Sequence, residues 1–376
     1  PKPDAVYAAV DQYQRTLGAP AGRGVYEQAL PVDRRLQQTR LALARLIGAA
    51  DSARVIFAYS GTDALMLALR GMLRPGDHVV TSVCDHNAIL RPLRFLEDHH
   101  SLAVTRVGCD AEGRVDADEV GDALRPTTRL VALLHASNVT GALQPIEQIA
   151  DRLVKHPARL LVDAAQTVGH IPLSVETLRC DLLAAPGHKG LLGPLGTGFL
   201  YVAPGVEAEL EPVRMGGTGT RSESDRVPES LPERFEAGNL NVPGIIGMGA
   251  GIAYLQQHGE SQFADNERKL TELLLQELAD MPHVTCYGPR GLRARLPVVS
   301  FNVDGHEPQE VAMLLDQVAG IQTRAGYHCA PRMHQALQTD ARGGTVRVSC
   351  GPFNQEQDIR ILVQTLKQLA SSGSAR

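Results

Sequence analysis

Four stretches of this 376-residue chain carry side chains whose type and spacing could do chemistry. In Tyr59-Ser60-Gly61-Thr62-Asp63 an apolar run gives way to a helical pattern. Ser60 with Asp63 resembles a capping box, and Gly61 lets backbone come close to a ligand. Unsatisfied amides at a helix N-terminus favour an anion, so the stretch reads as a phosphate cradle or as an ordinary strand-to-helix turn. Leu161-Val162-Asp163-Ala164-Ala165-Gln166 ends an apolar strand with a carboxylate, where ligands of open α/β sheets bind. That acid reads as the partner of a buried cation or as a turn cap. Ala185-Pro186-Gly187-His188-Lys189-Gly190 follows the next strand, so Lys189 and Asp163 can reach one crevice from adjacent strand ends. A lysine that loses its proton there attacks a carbonyl carbon to form a Schiff base; the alternative is a solvated loop lysine. Finally, Cys329 lies among Arg324, His328 and Arg332, and positive charge stabilises a thiolate. The alternatives are an inert buried thiol or a metal site with His328 and His334, which is disfavoured because ligands adjacent in sequence rarely converge on one ion. An anion cradle, a buried acid, a Schiff-base lysine and a reactive thiol together suit pyridoxal phosphate (PLP) acting on a sulfur amino acid.

The elements that must position these groups alternate along the chain. Candidate strands are Arg54–Tyr59, His78–Val83, Leu102–Val107, Arg129–His135, Arg159–Asp163, Asp181–Ala185 and Gly198–Val202. Amphipathic stretches at Ala64–Met72, Asp116–Leu124 and Pro145–Lys155 lie between them. This pattern predicts an α/β fold, with a mainly parallel central sheet and helices on both faces. From about Gly259 the pattern changes to a long helix at Phe263–Asp280, strands at Val298–Val303 and Thr345–Ser349, and helices at Glu307–Val318 and Gln355–Leu369. The expected division is a large cofactor-binding domain over residues 18–258 and a smaller α+β domain from residues 1–17 and 259–376.

Composition narrows the function classes. Charged residues make up 21% and the net charge is −5, so there is no basic surplus for sequence-independent nucleic-acid binding. The six cysteines are dispersed and form no C-x-x-C pair, which points to thiols in a reducing compartment. The run from Ala237 to Gly259 is nearly uncharged but too rich in glycine and asparagine for a bilayer span. No membrane or nucleic-acid partner is expected, and the N-terminus lacks the apolar stretch of a signal peptide.

The chain resembles the cysteine desulfurase and selenocysteine lyase family, in the class-V aminotransferase-like branch of fold-type-I PLP enzymes. The resemblance runs from about Tyr59 to Asn354. It is carried by the stretches at 60–63 and 163–166, Asp85-His86-Asn87-Ala88, Ser137-Asn138-Val139-Thr140-Gly141, Gly187-His188-Lys189, Phe235-Glu236-Ala237-Gly238, 324–330 and Arg347. The short loop before Cys329 is similar to the SUF-type branch.

The resemblance implies that Lys189 holds PLP covalently and moves the substrate α-proton, while Asp163 keeps the ring nitrogen protonated. It implies Gln166, with Asn138, at the ring hydroxyl, His86 stacked on the ring, and Gly61, Thr62 and His188 at the phosphate. Arg347 would bind the substrate carboxylate, with Arg324, Asn138 and Tyr26 near the substrate. Cys329 would take sulfur from L-cysteine, leaving L-alanine and a persulfide for an acceptor protein. A cytoplasmic homodimer is the expected form. The alternatives are a C–S or C–Se lyase acting on selenocysteine, cystine or a cysteine conjugate, or a non-catalytic scaffold for a sulfur acceptor. Three positions depart from the family pattern. Pro186 stands where many relatives have a hydroxyl residue, Asn239 where a threonine contacts the partner's phosphate, and Tyr26 where relatives carry histidine. The Gly216–Gly219 stretch offers a hydroxyl and amides in compensation.

Overall fold

The computed structural model describes residues 2–22, 24, 26–220 and 223–373. Strands β1 (Val55–Ala58), β2 (His78–Ser82), β3 (Ala103–Val107), β4 (Thr128–Leu134), β5 (Arg159–Asp163), β6 (Leu182–Pro186) and β7 (Gly198–Val202) form one sheet. Its order is β1-β7-β6-β5-β4-β2-β3. Every pair from β6 to β3 is parallel, whereas β7 runs antiparallel to both β6 and β1. The exception has a simple cause. A short turn joins β6 to β7, too short for the crossover that parallel strands require, so the chain reverses. That turn carries Lys189.

Helices α1 (Asp4–Gln12), α2 (Ala29–Leu46), α3 (Gly61–Met72), α4 (Asn87–His100), α5 (Ala117–Asp122), α6 (Ile146–Leu153), α7 (Val175–Leu178) and α8 (Val242–His258) flank this sheet. Strand residues alternate between two cores: Leu160 and Val162 enter one and Leu161 the other. The central strands are therefore largely apolar, as expected for a sheet covered on both faces, while edge strand β3 is half-buried and carries Thr105 and Arg106. Helix α1 lies against α8, and Tyr13 belongs to the core on that side of the large sheet. The N-terminal segment thus packs beside residues 18–258, whereas the sequence pattern grouped it with the small domain.

Helix α9 (Glu260–Ala279) leads to a second sheet of β8 (Val284–Tyr287), β9 (Val298–Val303), β10 (Arg324–Gly326) and β11 (Thr345–Ser349), ordered β10-β11-β9-β8 and antiparallel throughout. Helices α10 (Pro308–Ala319) and α12 (Glu356–Gly373) share its core with α9, and α11 (Pro331–Ala336) follows Cys329. Short helices and strands that the sequence left unassigned, among them β8 and β10, are held by these tertiary contacts. Among the described residues no helix is long and apolar enough to cross a membrane.

The glycines of α8 explain the run at 237–259. A Cβ at Gly251 would stand 2.4 Å from the Leu191 carbonyl oxygen, and one at Gly247 would meet Pro194 at 2.8 Å. The lysine turn therefore rests directly on the helix backbone. Gly251→Ala pushes that turn outward, with an expected loss of about 1–3 kcal/mol from overpacking. Urea denaturation would measure it, and an unchanged midpoint would refute the close fit.

Candidate active site

The chain's chemistry-bearing side chains converge on a crevice of about 240 Å³ at the carboxyl ends of the central strands. Its lining includes Gly61, Thr62, His86, Asn138, Asp163, Gln166, Pro186, His188, Lys189 and Arg324. At one end is the start of α3. Ser60 Oγ accepts the Asp63 amide at 3.0 Å, and the Asp63 carboxylate accepts the Tyr59 amide at 2.8 Å. The reciprocal bond thus reaches the residue before the cap. The amides of Gly61 and Thr62 lie in the first turn, where no intrahelical acceptor exists, and they border the crevice.

Asp163 ends β5 and is buried. One of its oxygens accepts the Ala165 amide at 2.9 Å. Burial raises its pKa, and the Lys189 charge opposes that rise. Lys189 sits in a turn closed by bonds from Leu192 N–H to its carbonyl (2.9 Å) and from Gly193 N–H to the Gly187 carbonyl (2.8 Å). A Cβ at Gly187 would meet Thr197 Oγ1 at 2.2 Å, so this tight passage requires glycine. Burial lowers the Lys189 pKa, Asp163 raises it, and Arg347 and Arg324 lower it. The net fall favours the neutral amine that a nucleophile or base needs. Lys2 Nζ donates to the His188 carbonyl at 2.6 Å, a contact that local sequence gave no sign of.

His86 caps α4. Its Nδ1 accepts the Ala88 amide at 3.0 Å, so in the neutral ring Nε2 carries the hydrogen. Burial, then Lys189 and nearby arginines, push its pKa down to about 4. The ring at the crevice is therefore neutral at pH 7, suited to an aromatic face rather than an ion pair.

The small sheet supplies the opposite wall. Arg324 and Arg347 stand directly opposite each other on β10 and β11. Arg324 Nη2 lies 3.1 Å from Cys329 Sγ, and Arg347 Nη1 donates to the Asn138 carbonyl at 3.0 Å. His328 and Cys329 both adopt left-handed backbone, at φ 48° and 63°. Such strain persists only where surroundings enforce it. Asn138 Nδ2 donates to the His328 carbonyl (2.7 Å), the Asn87 amide to the Cys329 carbonyl (2.7 Å), and His328 Nε2 meets Thr345 at 3.0 Å. Asn138 thus spends its amide nitrogen on the cysteine loop. Cys329 itself lines an adjoining cavity that shares Thr62, His86 and Ala88 with the crevice.

Cys329 and Arg347 stand beside the crevice without lining it, and two other expected residues are not brought in within the chain. Tyr26 is 47% exposed and is absent from the crevice lining. Asn239 is exposed; its carbonyl accepts the Tyr59 hydroxyl at 2.8 Å, placing it at the rim near α3. Nor does the crevice lining include the Gly216–Gly219 stretch. No cluster of three or more metal-ligating side chains exists among the described residues.

Comparison with known proteins places this geometry. The class-V aminotransferase profile matches residues 1–362. The chain belongs to the class-V aminotransferase family. It is 37% identical to a probable cysteine desulfurase of Methanothermobacter thermautotrophicus, over 99% of this chain and 93% of that protein. It is 30% identical to a cysteine desulfurase of Escherichia coli O157:H7, over 98% and 90%. Its fold matches the apo structure of a cysteine desulfurase from Thermococcus onnurineus with a TM-score of 0.92 at 31% identity, covering 99% of this chain and 92% of that one. This class-V aminotransferase is accordingly an enzyme of the cysteine desulfurase group, with the α/β fold that the sequence predicts.

The family is generally PLP-dependent, and the crevice of this class-V aminotransferase fits that cofactor. Open helix-start amides suit the phosphate, the buried carboxylate suits a pyridinium, and the depressed amine between them suits the aldehyde. A neighbouring ion pair braces the rim. Arg40 makes a bidentate bridge to Glu236 at 2.7 and 2.9 Å, Glu236 accepts the Phe57 amide at 2.5 Å, and the Arg40 guanidinium stacks 4.1 Å over Phe57. Sequence reading also gave no role to Asp85, which turns out to be a hub. It accepts Thr81 Oγ1, Ser82 N and Oγ, and Leu134 N at 2.7–2.8 Å, fixing the strand end that presents His86.

Burial makes the enzyme acid-sensitive. His78, His86, His135 and His334 are pushed down to about 4 and His328 to about 3, in each case chiefly by burial. In the unfolded chain they protonate near 6.5, so between about pH 6.5 and 4 the unfolded state binds more protons and stability falls as pH drops. Each neutral histidine contributes a slope of up to about 1.4 kcal/mol per pH unit. Asp85, raised to about 6, and Asp163, also raised, act in the opposite sense. His188 is also lowered by burial, so with six groups against two the urea midpoint is expected to fall from pH 7 to pH 5; a rise would refute this balance.

Proposed function

We propose that the chain is a PLP-dependent cysteine desulfurase that converts L-cysteine to L-alanine and collects the sulfur on Cys329. The observation that carries the reading is the grouping of Lys189, Asp163 and Arg324 about one crevice, with Cys329 against Arg324 in the cavity that adjoins it. PLP, when bound, supplies an electron sink for the charge that develops at the substrate α-carbon. Lys189 would be the attachment point, and its amine would take the substrate α-proton. Asp163 would hold the ring nitrogen, Gln166 the ring hydroxyl, and His86 the ring face. Gly61, Thr62 and His188 would hold the phosphate. Pro186 offers no hydroxyl there, which leaves the task to these three residues.

Arg347 takes the substrate carboxylate in a charge-assisted pair, with Asn138 alongside. Arg324 Nη2 lies 3.1 Å from the Cys329 sulfur and orients it. That sulfur attacks the substrate sulfur as its bond to carbon breaks, and a persulfide remains for an acceptor protein. Residues 259–376 act as the smaller domain that carries Arg324, Cys329 and Arg347 to the larger one. The short cysteine loop fits the SUF-type branch. A homodimer gives exposed Asn239 a role across the interface, at the partner's phosphate, and six free cysteines fit the cytoplasm.

The deciding experiment incubates purified, PLP-loaded protein with cysteine, selenocysteine or cystine and identifies the organic product. Alanine from cysteine supports the proposal; pyruvate, or turnover of selenocysteine or cystine alone, overturns it in favour of a lyase.

A further inference from the structure

Two further cysteines lie together outside the crevice. Cys84 follows β2 and Cys109 follows β3. These strands pair in parallel with Ser82 opposite Val107, and the ladder continues from the Val83 amide to the Val107 carbonyl at 3.0 Å. Cys84 lies in the turn that ends β2 and Cys109 two residues past β3, so the paired strand ends bring the two thiols next to each other, while Cys84 Sγ also lies 3.5 Å from the Gly113 carbonyl oxygen. A disulfide needs a Cα separation of roughly 4.4–6.8 Å, and paired strands lie about 4.7–4.9 Å apart.

The two sulfurs differ in access. Cys84 is fully buried, whereas Cys109 is partly exposed and lines an open cavity of about 450 Å³ with Arg114 and the acidic Asp110, Asp116 and Glu119. Interaction with Cys84 lowers the Cys109 pKa against burial, Asp110 and Glu119, which raise it; interaction with Cys109 and burial raise that of Cys84. As the accessible one of the two, Cys109 is the thiol that reacts first, and Cys84 the one that resolves.

We propose that Cys84 and Cys109 form a thiol–disulfide site for low-molecular-weight disulfides. The Cys109 thiolate attacks one sulfur of the reagent, forming a mixed disulfide and releasing one thiol. Cys84 then gives up its proton and attacks the Cys109 sulfur, closing the protein disulfide and releasing the second thiol. The two protein thiols are oxidised by two electrons, and the reagent is reduced to two thiols.

The test uses PLP-loaded Cys329→Ala protein, which removes the other arginine-flanked thiol, treated with oxidised glutathione. Peptides are then mapped by mass spectrometry under non-reducing conditions. Most chains are expected to yield a Cys84–Cys109 linked peptide that dithiothreitol separates. In Cys84→Ser the reaction should stop with glutathione on Cys109, and in Cys109→Ser Cys84 should stay a free thiol. Conversion of free cysteine to its mixed disulfide in a parallel sample reports that the reagent is active. Persistent glutathione on Cys109 with Cys84 intact, or an active reagent with both thiols untouched, overturns the site.

Discussion

Lys189→Ala is expected to lower alanine formation from cysteine by at least about 10⁴-fold, the upper range for loss of a positioned acid–base group. The variant removes both the attachment point and the base, and no second amine is available: the crevice lining contains no other lysine. Lys2 contacts the same turn, but through the His188 carbonyl, with its nitrogen directed at backbone. The fold should survive, because Lys189 makes no hydrogen bond that closes the turn through its side chain; the closing bonds are main-chain. Purified variant, assayed for alanine and for the visible absorbance of bound PLP, checks both parts. Retention of activity within tenfold of the parent would remove Lys189 from the mechanism.

Cys329→Ala has the second large effect and separates two chemistries. In a desulfurase the Cys329 sulfur accepts the substrate sulfur, so the variant should lose persulfide and alanine formation from cysteine by about 10³-fold or more, comparable to loss of other positioned catalytic groups. A C–S lyase expels sulfide without a protein thiol, keeps turnover and yields pyruvate. The structure favours the first outcome. Arg324 lies against the sulfur, and the left-handed pair His328–Cys329 is held by Asn138, Asn87 and Thr345. A loop fixed from three sides around one sulfur has no purpose in a reaction that ignores it. Arg347 and His86 should keep their places in the variant, so substrate binding measured by spectral titration should change little.

Much of this was readable in the residues. The strands at 159–163 and 198–202 appear at the predicted apolar runs, because a strand buried on both faces is largely apolar along its length, and those at 298–303 and 345–349 also appear at the predicted positions. The Ser60 cap, the carboxylate at the end of β5 and the lysine in the next turn were also local facts, set by short-range spacing. Their convergence followed from one rule, that strand ends of an open α/β sheet share a crevice.

Other features depended on partners far along the chain. Nothing near Ala237–Gly259 says that its glycines admit the lysine turn; only Leu191 and Pro194, packed against the helix, show it. Strand β10 is three residues long, too short for a pattern, yet its register against β11 sets Arg324 opposite Arg347. The Asp85 hub draws on Leu134, the Arg40 brace on Glu236, and the docking of α1 on α8. Sequence by itself determined the chemistry carried at each strand end, because capping, chain reversal and apolar periodicity act over a few residues. Tertiary structure alone decided which distant groups meet, because contacts between remote segments depend on how whole elements pack rather than on their neighbours in the chain.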